Sequence, residues 1–153
     1  MKLAEHFYLD EFLVSETAAR RAIANQPTDE VIGRLRLLCQ SVLEPLRVQL
    51  GCPIVVTSGY RSRKLNLAVG GSLNSMHMQG RAADIVVPGM TALAVCEAAK
   101  RLNLPCAEII HEFGRWAHLA AANSGEVSKL QTKLLTATLV SGKTLYSEGL
   151  RHV

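Results

Sequence analysis

The 153 residues contain no apolar run approaching the roughly 20 that a membrane-crossing helix needs. The opening MKLAEHFYLDEF carries acidic side chains where a signal peptide needs an apolar stretch, so neither membrane insertion nor signal-led export is expected. Cysteine is sparse and dispersed. Cys39, Cys52, Cys96 and Cys106 make no CxxC pair, which predicts free, buried thiols in a chain made in a reducing cytoplasm. Three Tyr, three Phe and one Trp are too few for a platform on which bases could stack. The net charge of +4 is scattered, which also argues against nucleic acid while suiting an anionic partner of another kind.

What is present is the composition of a folded protein, with 48% apolar and 20% charged residues and no repeat or low-complexity tract. At this length a core can form without staples, so one domain over residues 1–153 is expected, and a monomer. Residues 121–153 are the least legible part and read as a C-terminal extension.

Ser15 caps a helix through ETAARRAIA that ends near Asn25 and Pro27. Thr28 caps a second helix, whose stripe Val31, Leu35, Leu38, Val42 and Leu46 keeps helical spacing toward Leu50, with Pro45 expected to bend or shorten it. The β-branched run at residues 53–57 reads as a buried strand, followed by loop chemistry through YRSRKLN and AVGGSLNSMHMQG. Residues 82–87 form a second strand with Ala82, Asp84 and Val86 on one face. Thr91 caps a helix to Leu102, and residues 107–111 and 116–120 form a hairpin with Gly114 in its turn, so that Trp116, His118 and Ala120 share a face. Further on, LTATLVSGKTLY suggests a hairpin turning at Ser141-Gly142, with YSEGLRHV as an exposed tail. The fold class predicted is α+β, a small, mostly antiparallel sheet packed against N-terminal and central helices.

Three residues stand out chemically. His77 and Asp84 in SMHMQGRAAD, with His118 in RWAH, offer two imidazoles and one carboxylate, a set that leaves one position of a tetrahedral zinc ion open, as catalytic sites do. His77 and Asp84 are seven positions apart with Gly80 between them, so a loop and a strand, not one helix, must bring them together. A carboxylate at Asp84 among small apolar neighbours needs a cation or donors to offset its desolvation.

These segments resemble the zinc D-alanyl-D-alanine carboxypeptidases and phage endolysin peptidases, within the fold superfamily shared with the hedgehog signalling domain. The matching pieces are SGYRS at 58–62, Asn66 with Gly71-Ser72, SMHMQGRAAD at 75–84 and EIIHEFGRWAH at 108–118; the N-terminal HFYLDEFLVSETAARR is similar to small phage members. The resemblance implies one zinc ion on His77, Asp84 and His118, and hydrolysis of peptidoglycan stem peptides at D-Ala-D-Ala or L-Ala-D-Glu. Family members carry an acidic or imidazole base shortly before the last histidine ligand, often three residues before it, where this chain has Arg115. Glu112, Glu108 and His111 remain as bases, and the EFGRW setting shared with the small phage-like members favours Glu112, unless that carboxylate is merely a solvated partner of Arg115. The resemblance also assigns Arg61 to an oxyanion or a substrate carboxylate, and Ser75 either to substrate or to shaping the turn before His77. The expected setting is a phage or prophage endolysin acting on the cell wall after release. The alternatives are a non-catalytic, metal-holding wall-binding module and a tail-associated, wall-piercing peptidase carried in the phage particle.

Overall fold

The computed structural model describes residues 1–153. Thr28 accepts a hydrogen bond from the Val31 amide and opens α2 (Asp29–Leu38), the longest helix of an N-terminal layer that also holds α1 (Glu16–Arg20) and α3 (Glu44–Leu50). A π-helical turn, Cys39–Leu43, joins α2 to α3. It lies just ahead of Pro45, which has no N–H to give to the preceding turn, so the helix widens where a regular bond would be lost and then continues. Val31, Leu35, Leu38, Val42 and Leu46 are all buried, as their spacing requires.

The six strands form one sheet in the order β1-β2-β4-β3-β5-β6, where β1 is Val55–Ser58, β2 Ala82–Val86, β3 Cys106–Glu112, β4 Trp116–Ala121, β5 Lys133–Val140 and β6 Lys143–Glu148. Every pairing is antiparallel except that of β3 with β5. Alternation gives the sheet two different faces. Ala83, Ile85, Ile109, Ala117 and Leu119 face the helical layer, where they meet the α2–α3 stripe and Val95, Cys96 and Ala99 of α5 (Ala92–Arg101). Asp84, His118, Ile110 and Leu135 are cross-strand neighbours on the other face.

Several expectations need correction. The first helix stops at Arg20, because Ala22 turns left-handed (φ 50°) and the Ile23 amide bonds back to the Ala18 carbonyl, closing the helix early. The stretch read as a long loop contains α4 (Arg63–Ala68), capped by Ser62, and a 3-10 turn, Met76–Gln79, that carries His77. The C-terminal residues are not a free tail. The hairpin does turn at Ser141-Gly142, both with positive φ, but Tyr146 to Glu148 lie within β6, and the Arg151 amide donates to Thr136 on the sheet.

Two glycines hold the site segments against the helical layer. A Cβ at Gly59 would lie 2.5 Å from the Phe12 Cα, so only glycine lets the chain leave β1 this close to the N-terminal segment. Gly80 has φ +71° and would place a Cβ 2.7 Å from the Val31 carbonyl oxygen of α2. Replacing Gly80 by Ala combines left-handed strain with overpacking against backbone, and should lower the unfolding free energy by about 2–4 kcal/mol. Urea denaturation measures this, and an unchanged midpoint would refute the packing described.

Candidate metal centre

Each site residue is held by backbone geometry set elsewhere. His77 is fully buried, and its Nδ1 donates to the Gly59 carbonyl at 2.7 Å, which leaves Nε2 as the atom with a free lone pair. Ser75 caps the 3-10 turn, its Oγ accepting from the His77 amide at 3.3 Å. Asp84 and His118 are direct cross-strand partners on β2 and β4. Arg61 is fixed from below by Asn25, whose side-chain amide donates to the Tyr60 carbonyl and whose oxygen accepts from the Ser62 amide.

These supports bring the three predicted ligands together. Asp84 Oδ1 lies 2.9 Å from His118 Nδ1 and 3.2 Å from His77 Nε2, and the three ligand atoms all fall within 4.8 Å of one another. The two rings stand 5.1 Å apart, tilted by 60°. A tetrahedral zinc ion with bonds of about 2.0–2.1 Å spaces its ligand atoms by roughly 3.3 Å. The donor set fits zinc in kind and in spacing, and the His77 tautomer leaves Nε2 free for it.

The electrostatics of the cluster show what an ion would compete with. Burial opposes charge on His118, yet its hydrogen bond to Asp84 and the nearby Glu108 and Glu112 carboxylates hold its pKa up at about 10. Burial likewise opposes charge on Asp84, but His77 and His118 keep its carboxyl far below the usual range. His77 moves the other way, because burial outweighs its attraction to Asp84. Without metal, a proton on His118 balances the buried Asp84 charge.

The base candidates separate by position. Glu112 Oε1 is 3.7 Å from His118 Nδ1, the atom that points at Asp84, and its other oxygen accepts from Trp116 Nε1 at 3.1 Å. Glu112 therefore pairs with Trp116, and Arg115 is exposed. Glu108 sits on the opposite side of the same ring, 3.6 Å from Nε2, and the contact with His118 lowers its pKa. His111 points to the other face of the sheet, where Nδ1 donates to the Arg151 carbonyl at 2.7 Å. Burial, followed by the Asp84 charge, raises the pKa of Glu112. Arg61 lines the same cleft, and its buried Nε has no hydrogen-bond partner. Burial lowers its pKa against the pull of Asp84 and Glu112.

The cleft above these groups measures about 640 Å³ and is walled on its far side by Lys133, Leu135, Thr144 and Tyr146. None of the four was singled out in the sequence. The hairpin expected over LTATLVSGKTLY covers most of β5 and β6, but nothing local announces the parallel pairing of β5 with β3.

A mostly antiparallel sheet thus carries, at the floor of an open cleft, a His–Asp–His set of the kind that holds zinc with one position left open. The family model for peptidase M15 matches residues 5–120, and the chain belongs to that family. A search of curated proteins gives no match. Membership makes the protein a zinc metallopeptidase with a peptidoglycan-related substrate. No helix is long and apolar enough to cross a membrane.

Because His118 carries a proton in the metal-free protein at neutral pH, zinc must displace it to reach Nδ1. Zinc titrations at pH 7 in buffers of different ionisation enthalpy should show release of about one proton per ion, and affinity should rise with pH up to about 10. Zinc binding without proton release would contradict this arrangement.

Proposed function

We propose that the chain is an endopeptidase that cuts the L-Ala-D-Glu bond of peptidoglycan stem peptides, acting as a phage or prophage endolysin. The observation that carries the catalytic part is Glu112, a half-buried carboxylate beside the ligating edge of His118 and open to the cleft. Arg115 stands where family members often carry the base, and Glu112 approaches the same space from across the turn. The choice of bond is supported by the form of the cleft, which runs from Arg61 to Tyr146 instead of closing into a small pocket for a terminal carboxylate. The endolysin setting is supported by the N-terminal resemblance to small phage members.

Zinc held by His77, Asp84 and His118 would supply Lewis acidity, polarising the scissile carbonyl and easing deprotonation of water. Glu112 takes the proton from the attacking water and delivers it to the leaving amine nitrogen, a double task suited to a carboxylate whose pKa is raised toward the working range. The Trp116 indole holds one Glu112 oxygen and leaves the other turned to the site. Arg61, with its unpartnered donor, stabilises the oxyanion that develops on the scissile carbonyl or binds a substrate carboxylate. Ser75 shapes the turn that presents His77, and its hydroxyl hydrogen is available to the substrate. Glu108 orients His118 from the Nε2 side.

Glu112→Gln can still accept from Trp116, so it should keep its zinc while losing hydrolysis by about 10²–10⁴-fold. Metal analysis and a cell-wall turbidity assay read the two quantities, and full activity in the variant would remove Glu112 from its role. Mass spectrometry of digested peptidoglycan should show peptides with a new amino terminus at D-Glu. Release of free D-Ala would instead make the enzyme a carboxypeptidase.

A further inference from the structure

The family match ends at residue 120, yet the cleft does not. Residues 133–148 extend the sheet past β3, and register fixes which of their side chains share the face of the metal centre. Trp116 pairs with Glu112, Glu112 with Ala137, and Ala137 with Tyr146, so these four form one cross-strand row. Two strand spacings, roughly 10 Å, separate the backbones of Glu112 and Tyr146. The residue between them is the smallest that carries a Cβ, and it is fully buried. Nothing large therefore blocks the space between the Tyr146 ring and the Glu112 carboxylate. A parallel row pairs Ala120 with Glu108 and Glu108 with Lys133, which sets an ammonium on the same face four residues along. Tyr146 is 54% exposed and lines the cleft from an edge strand, so its ring is open to a bound molecule.

We propose that the β5–β6 hairpin is the second wall of the substrate cleft, where Tyr146 packs against the bound peptide and Lys133 pairs with a substrate carboxylate on the side away from Arg61. The inference rests on the peptidase reading above. It assigns substrate selection to a segment that the shared family region does not include. With Arg61 at the scissile carbonyl, Lys133 is the cation left to receive the free α-carboxylate of the D-Glu residue. The partial burial of the Tyr146 phenol, together with the carboxylates of Glu112, Glu108 and Asp84, raises its pKa.

The test measures binding apart from turnover. In zinc-loaded Glu112→Gln protein, calorimetry with a synthetic L-Ala-D-Glu-Lys peptide compares the free glutamate α-carboxylate with its carboxamide. Adding Tyr146→Ala should weaken binding of the free acid at least tenfold. Adding Lys133→Gln should abolish the preference for carboxylate over carboxamide. In the active background, Tyr146→Ala should raise KM with little change in kcat and no change in zinc content. Both side chains are exposed, so the variants should fold, and circular dichroism checks this. Unchanged dissociation constants in both variants would overturn the inference while leaving the peptidase intact. Absence of cell-wall hydrolysis by the wild-type protein would instead strike the peptidase reading.

Discussion

The structure turns on a single oxygen atom. Asp84 Oδ1 is approached by imidazole nitrogens from two directions, and nearly all of its surroundings are dry. A carboxylate in that position is tolerable only while positive charge stays within contact, since the desolvation of an unpaired ion exceeds what packing can offset. The neighbouring backbone serves this condition. β4 presents His118 opposite Asp84, the 3-10 turn presents His77, and the Gly59 carbonyl fixes the ring that would otherwise rotate. Even the tight pass of Gly59 over Phe12 belongs to this chain of dependence, because it sets where that carbonyl lies.

The division of labour between the sheet's faces makes this possible. The helix-facing side is apolar and interlocked with α2, α3 and α5, so the strands cannot shift without disturbing the core. The other side can then carry charged groups at defined spacing. Glu112 and Glu108 flank His118 at its two ring nitrogens, one open to the cleft and one supporting the ring, although both come from the same strand. His111, one residue from Glu112, is turned to the opposite face by the same alternation.

Sequence periodicity revealed the apolar stripe from Val31 to Leu46, the strand of Asp84 and the hairpin that bears His118, because each depends on local spacing. The motif resemblance joined the ligands across that spacing. The α+β class and the His77, Asp84 and His118 cluster were therefore legible. Three things were not. Asn25 resembled a helix end, but its amide pins the segment of Arg61 from 35 residues away. Glycines and serines in the stretch before His77 masked a short helix and a 3-10 turn whose caps are those same serines. The pairing of β5 alongside β3 is parallel and non-local, and a strand's own residues carry no mark of which neighbour it will join.

That parallel pairing has a consequence for solubility as well. If the chain stopped after β4, the outer side of β3 would present a row of unsatisfied amides and carbonyls beside the cleft, a template for edge-to-edge association. β5 occupies that row, and the sheet instead ends at β6, a short strand bearing Lys143 and Glu148. The hairpin thus moves the exposed edge away from the metal ligands and finishes it with charge, so that copies of the protein are less prone to zip together across the cleft.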